Sequence, residues 1–309
     1  MEKTKSNRMQ RIAKDIAKNK VGYMMLAPLF LGILVFCYYP PVSGLVLAFF
    51  QKRSNTDAVF VGLGNFKELF ADPFFLGSIG TMFKIMLPKL IIGIVVPLIM
   101  AELIFAVSSQ KMQGVYRILV LVPIVAPGVV GLLIWRNIYG ASSNGVLNGV
   151  LHALRVIDEG TNINWLGSYD WVIFSIIFMG FPWVGGTAVL IYMSGLMTIS
   201  GEMLEASRLD GASTMRRIFS IDLPLLLGQI KYFLVFGLIG GFQDYGIQII
   251  LTKGGPGDAT MVPGYYLFTK IQVDDQLGYA SAIGAVMFVV IALSTLFAFK
   301  VVKTDRTEP

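Results

Sequence analysis

Apolar residues run through this chain in long stretches, and charged positions interrupt them at intervals close to the thickness of a bilayer. No charged residue occurs between Lys20 and Lys52, between Arg117 and Arg136, between Asp170 and Glu202, or between Asp275 and Lys300. Each gap holds about twenty residues or more, enough for a helix to cross a hydrocarbon core. A fifth stretch begins after Lys231, runs to about Ile250 and is interrupted by Asp244. A sixth, roughly Gly80 to Ala106, carries Lys84 and Lys89 near one end, where lysine stems can snorkel to the nearer interface. The pattern predicts an all-α integral membrane protein with six transmembrane helices.

Composition agrees. The 309 residues are 55% hydrophobic and 14% charged, against about 25% charged in soluble domains, and the mean hydropathy is +0.69. The single cysteine, Cys37, excludes a disulfide within the chain, and the single histidine, His152, has no neighbours with which to build a metal site. The net charge of +6 does not point to nucleic acid, because the basic residues divide by membrane side. Six spans put both termini on one side. That side carries fifteen Lys and Arg, in the two tails and the segments near 108–117 and 198–223; the other carries six. The basic side is expected to be cytoplasmic.

The expected organisation is a basic tail over residues 1–21, a six-span domain over 22–302 and a short cytoplasmic tail over 303–309. The basic start is not expected to be a signal peptide, because the apolar run behind it is too long. Met9, Ile12 and Ile16 recur at helical spacing among basic residues, which suits a helix on the inner membrane surface or a disordered basic tail. Pro40, Pro41, Pro97, Pro123, Pro127, Pro182 and Pro224 sit in or beside spans. Each removes a backbone donor, which kinks helices around a pathway or is simply tolerated there.

The longest predicted inner segment, 198–223, contains Glu205-Ala206-Ser207-Arg208-Leu209-Asp210-Gly211 and then Ile221-Asp222-Leu223-Pro224. Ser200 is placed to cap a helix, with Glu202 in its first turn. Gly211 suits a left-handed C-terminal position. Ser213 is placed to cap a second short helix through Arg216 and Arg217, and Pro224 opens the next span. Such a helix-turn-helix is too small to form its own core and needs a partner surface. The spacing E-A-A, three residues, G, nine residues, I-x-L-P, with Ser207 for the second Ala, resembles the signature loop of permease subunits in ATP-binding-cassette (ABC) importers. The resemblance implies the type I importer permease fold, with 198–223 as a cytoplasmic coupling loop docked on an ATPase dimer. Glu205, Ala206, Ser207, Asp210 and Gly211 are then the coupling residues. No G-x-x-x-x-G-K-[ST] sequence occurs. ATP with its Mg²⁺ is therefore expected on a separate subunit, with no cofactor on this chain and no catalytic or metal-ligating residue.

Val61-Gly62-Leu63-Gly64-Asn65-Phe66, Asp72-Pro73-Phe74 and Leu251-Thr252-Lys253-Gly254-Gly255-Pro256 resemble carbohydrate-importer permeases of the maltose-transporter type. With the signature loop, the likeness spans roughly 22–302. On spacing alone, Gly237, Gly241, Asp244 and Gln248 share one face of the fifth helix. An intramembrane acid among glycines and an amide fits a transport pathway, or close helix packing with Asp244 paired to another subunit. The resemblance favours the pathway. Phe242-Gln243-Asp244-Tyr245 aligns with a Phe-Asn-Asn-Phe stretch at that family's sugar site, and Gly180-Phe181-Pro182-Trp183 with a Gly-aromatic-Pro-aromatic element lining the same site. Asp244 and Gln243 would meet sugar hydroxyls and Trp183 a sugar face. Gln-Asp in place of Asn-Asn departs from the pattern and puts maltose itself in doubt; an anionic sugar would need a compensating cation.

The resemblance thus implies half of an alternating-access pathway for a carbohydrate, an oligosaccharide by expectation, in a bacterial cytoplasmic membrane. The implied partners are the ATPase dimer, a second homologous permease, an extracytoplasmic sugar-binding protein, the sugar and membrane lipids, and no nucleic acid. A self-sufficient secondary transporter or channel also fits six spans with one intramembrane acid, but such a protein has no use for an ATPase dock. A membrane enzyme is disfavoured, because the spans hold no histidine, metal cluster or paired acids.

Overall fold

The computed structural model of the chain describes residues 18–158 and 160–301. The surface-helix expectation around Met9, Ile12 and Ile16, and the tail at 303–309, lie outside these residues. Helix α1, Lys20–Leu47, opens the fold, and none of its most apolar stretch is buried. Met25 and Phe36 are each 78% exposed, as side chains facing lipid should be. Pro40 and Pro41 cannot donate to the turn before them. Just ahead of them the ladder widens into a π-turn over Ile33–Tyr38, with the Tyr39 N–H reaching Leu34 O.

Strands β1, Phe50–Gln51, and β2, Val59–Phe60, pair antiparallel as a small hairpin. Asn65, in helix α2 (Gly64–Ala71), donates from Nδ2 to Ala48 O and Phe50 O, both at 2.9 Å, and so ties α2 to the hairpin. Helix α3, Pro73–Phe105, starts from an Asp72 cap whose carboxylate accepts from the Phe74 N–H at 2.9 Å. The same carboxylate accepts from the hydroxyls of Tyr266 and Tyr279. Burial pushes the Asp72 carboxyl upward, but these hydrogen bonds outweigh it and hold it below its ordinary value.

Helix α4, Gln110–Leu121, tightens into a 3₁₀ turn through Val125. It meets α5, Gly128–Ile138, at 85° across Ala126 and Pro127. After α6, Val146–Ala153, the charge-free stretch after Asp170 folds as two short helices, α7 (Tyr169–Phe178) and α8 (Gly186–Leu196). The break between them holds Gly180 at φ +95°, Trp183 at φ +53° and a cis Phe181–Pro182 bond. Helices α9, Gly201–Leu209, and α10, Thr214–Arg217, follow, with α9 at 76° to α8. Helix α11, Leu227–Gln243, is separated by Asp244 and Tyr245 from a short turn that ends in a π-segment, Gln248–Thr252. Helices α12, Pro263–Gln272, and α13, Leu277–Val301, complete the described chain.

Among the described residues, two buried apolar clusters hold these elements together. Phe75, Met82, Ile176, Phe242, Tyr266 and Ile283 belong to one, near the end that carries the hairpin and α12. Ala101, Ile104, Tyr192, Leu196 and Leu226 belong to the other, near α9 and α10. Helix α3 enters both, packing on α8 and α11, so it runs from one end of the molecule to the other.

Two sequence expectations need correction. The helix that carries the second span starts at Pro73 rather than near Gly80, which places Lys89 in the middle of α3 and not near its end. The fifth span is not one continuous helix. Asp244 is extended, at ψ 121°, where the chain passes from Gly240-Gly241 to Gly246, and glycines weaken a helix.

Candidate functional site

A cavity of about 520 Å³ lies between α3 and the broken fifth span. Its polar lining is Lys89, Gln243, Asp244 and Gln248. The break at Asp244 builds it. Asp244 Oδ1 accepts from the Gly246 N–H at 3.2 Å and starts the next turn, while Oδ2 faces Lys89 Nζ at 3.5 Å. Both side chains remain partly open, at 33% for Lys89 and 47% for Asp244. Lys89 therefore points to the acid across the cavity rather than snorkelling to an interface. Gln248 is 2% exposed, and its Oε1 has no hydrogen-bond partner among the described residues.

Gly237 and Gly241 border the same cavity, and they also let two helices touch. A Cβ on Gly237 would sit 2.4 Å from Leu90 Cδ1, and one on Gly241 2.5 Å from Met86 Cγ. Close packing is thus part of their role, and the chemistry falls to the lysine, the acid and the two amides. Among the described residues the acid faces Lys89.

The remaining pathway candidates do not join this cavity. Gly180 and Trp183 line a second one of about 780 Å³, with Tyr116 and Trp135. There Trp183 meets Phe178 and Phe181 edge to face, and its Nε1–H has no partner among the described residues. Tyr245 lines a third, about 640 Å³, and stacks on Phe268 of α12 at 6.2 Å; Gln243 borders both the first and the third. Gly180 and Trp183 belong to a different span, whose break opens onto the second cavity, and Tyr245, next to Asp244 in the fifth-span break, turns toward α12, while Gly237, Gly241, Asp244 and Gln248 share the first cavity as their spacing predicts.

Around α9 and α10 the local predictions hold. Ser200 Oγ accepts from the Met203 N–H and Ser213 Oγ from the Arg216 N–H, each at 3.3 Å. Gly211 sits at φ +71°. Its N–H reaches Arg208 O at 3.0 Å, and the Ala212 N–H reaches Ser207 O at 2.9 Å. This pair of bonds is a Schellman motif, which closes α9 and turns the chain toward α10. Glu205, Ala206, Asp210 and Gly211 are exposed, whereas Ser207 is buried, with its Oγ on Leu204 O.

Two features here were missed from the sequence. Leu209 is 90% exposed, and Met215 and Phe219 are 66% and 67% exposed, so the hairpin presents apolar side chains beside its charges. Arg217 is the centre of a buried triad. Its Nε lies 2.9 Å from Asp222 Oδ2, and its Nη2 3.4 Å from Glu102 Oε2 at the end of α3. Burial pushes the Asp222 carboxyl up, against the pull of Arg217. The sequence signal was an acid at the end of a span beside another in I-x-L-P.

A family model described as the inner membrane component of binding-protein-dependent transport systems matches residues 93–306. The chain is 33% identical to the probable ABC transporter permease protein YesP of Bacillus subtilis, over 94% of this chain and 91% of that protein. It is 30% identical to the trehalose/maltose transport system permease protein MalF of Thermococcus litoralis, over 93% and 95% respectively. Its fold resembles a chain of a bacterial ABC transporter involved in import of the acidic polysaccharide alginate, with TM-score 0.82 and 23% identity, covering 96% of this chain and 100% of that one. With its apolar spans and its Glu205-Ala206-Ser207 hairpin, the chain is a multi-pass membrane protein that belongs to the family of inner membrane components of binding-protein-dependent transport systems, the permease subunits of ABC importers.

Proposed function

We propose that this chain forms one half of an alternating-access pathway for a carbohydrate, an oligosaccharide by preference. The observation that carries the reading is the polar cavity at the break in the fifth span, on a helix that also reaches the coupling hairpin. Lysine, carboxylate and amide groups in an otherwise apolar lining suit a ligand rich in hydroxyls. Relatives whose names state transport of arabinooligosaccharides and of trehalose or maltose support the substrate class.

In this reading a separate ATPase dimer closes on ATP and Mg²⁺ and pushes on the hairpin through the exposed Glu205, Ala206, Asp210 and Gly211, whereas Ser207, expected among the coupling residues, is buried against Leu204 and does not reach a partner. A second homologous permease completes the pathway, and an extracytoplasmic sugar-binding protein delivers the sugar. The alginate transporter was solved in complex with an alginate-pentasaccharide-bound periplasmic protein, which supports that arrangement. The basic asymmetry puts both termini and Gly211 in the cytoplasm of a bacterial plasma membrane, with Asn65 and Gly255 outside. Gln243, Asp244 and Gln248 bind the sugar, and Trp183, with Gly180 and Tyr245, serves the path beside that site.

The test is purification through a tag on this chain, followed by uptake of labelled oligosaccharides into vesicles. The expected result is co-recovery of an ATPase and a second permease, with uptake that requires ATP. Sugar flux through the purified chain alone, without an ATPase, would overturn the reading in favour of a secondary transporter.

A further inference from the structure

We propose that Lys89 is a substrate-contacting residue, and that its pairing with Asp244 selects neutral saccharides over sugar acids. The inference rests on the carbohydrate reading above and adds to it a residue and a charge class. Lys89 and Asp244 are the only charged side chains lining the cavity among the described residues, and their charges cancel. Their contact is long, at 3.5 Å, and both side chains stay partly open to the cavity. A tightly closed structural pair would be shorter and better covered.

The arrangement offers a ligand fixed donors and acceptors. Lys89 Nζ donates, and the outer lone pairs of Asp244 accept. Gln248 borders the same cavity, with its Oε1 buried and unpartnered among the described residues. Neighbouring sugar hydroxyls, which both donate and accept, can bridge Lys89 and Asp244 without displacing either. A sugar carboxylate cannot do this. Placed against Lys89 it comes within reach of Asp244, so its attraction to one is offset by repulsion from the other, and it loses hydration on entry. A cationic sugar meets the converse problem. Discrimination then comes from the wrongly charged ligand being opposed as well as from the right one being bound.

The experiment uses the assembled permease–ATPase complex in nanodiscs, without binding protein. It measures equilibrium binding of two labelled probe pools, neutral oligosaccharides (gluco-, manno-, xylo- and arabino-oligomers) and oligouronates (oligogalacturonates and alginate oligomers). The wild type is expected to bind at least one neutral probe, and every oligouronate at least tenfold more weakly. Lys89→Met should weaken the neutral probe at least tenfold while the complex is still recovered intact. Asp244→Asn, which leaves Lys89 uncompensated, should move the ratio of oligouronate to neutral binding toward oligouronate at least tenfold.

Tighter binding of an oligouronate by the wild type overturns the inference and leaves the carbohydrate reading standing. An unchanged ratio in Asp244→Asn overturns it too. If both single variants lose assembly and the reversed pair Lys89→Asp with Asp244→Lys restores assembly together with sugar binding, the pair is a brace and the inference fails. Binding of neither pool overturns the carbohydrate reading and this inference with it.

Discussion

Arg217 Nε lies 2.9 Å from Asp222 Oδ2, and the same guanidinium reaches Glu102 on α3, so the chain leaving the coupling hairpin is tied to the end of the helix that carries Lys89. The side chain of Asp222 is fully buried, and those of Glu102 and Arg217 are 9% and 14% exposed. One guanidinium serves two carboxylates, and Arg217 also lies over the Phe105 ring at 5.6 Å. A buried ion cluster of this kind adds little net stability over apolar packing, but it penalises the loss of one partner heavily. It is therefore a stiff joint. Under the proposed alternating-access function, a displacement of the hairpin would pass to α3, and along α3 to the cavity.

Arg217→Ala should leave two buried carboxylates without their cation and destabilise the chain by about 3–5 kcal/mol. The measurable result is a lower melting temperature of the detergent-solubilised complex. Arg217→Lys keeps the charge but loses the planar fork. It should assemble yet import less sugar for each ATP hydrolysed. Unchanged melting in Arg217→Ala would refute the joint.

Much of this organisation was legible beforehand. Charge-free runs located four of the apolar segments because a bilayer core tolerates few charges; the two that carry Asp244, or Lys84 and Lys89, were read from the apolar residues around those charges. Ser200, Gly211 and Ser213 were readable as caps because capping depends on local backbone chemistry. The breaks were only partly legible. Pro182 marked the interruption in the fourth span, and Gly240, Gly241 and Gly246 flank Asp244 in the fifth, but nothing local said that Tyr245 would turn toward α12. Lys89 was misplaced because the span was bounded by hydropathy alone, although Asp72, capping the Phe74 N–H, and Pro73 at the first helical position mark the start of α3 locally. The contacts of Asp72 with Tyr266 and Tyr279, and of Arg217 with Glu102, join residues more than a hundred positions apart and leave no trace in a local pattern.

Gly211 tests the hairpin separately from the joint. A Cβ built there meets nothing within 4 Å, so any cost of substitution comes from its φ of +71°. Gly211→Val should cost roughly 1–2 kcal/mol locally, open the end of α9 and sharply lower sugar-stimulated ATP hydrolysis. Gly211→Asn, which tolerates the left-handed region, should retain most of it. Gly211→Pro should abolish transport while the chain still inserts, because no span is touched. Equal activity of the Val and Asn variants would show that the turn does not set coupling.

The last prediction separates the two roles of the fifth-span glycines. Gly241 faces Met86, a flexible side chain, and Gly237 faces Leu90; a Cβ at either position would come closer than real contacts allow. Gly186 is a harsher case, because its Cβ would sit 2.0 Å from the backbone carbonyl of Val120, which has no rotamer to change. Overpacking of this kind costs about 1–3 kcal/mol where side chains can shift, and more where they cannot. Gly241→Ala should therefore assemble with its partners and melt slightly lower, because Met86 can swing aside, with sugar binding reduced as Met86 is driven against the cavity it lines. Gly186→Ala should fail to give a stable complex at all. Thermal melting and complex recovery, measured beside oligosaccharide binding, check both. If Gly241→Ala melts as the wild type does and binds sugar equally well, the close approach of α3 and α11 at Met86 neither holds the helices nor shapes the cavity.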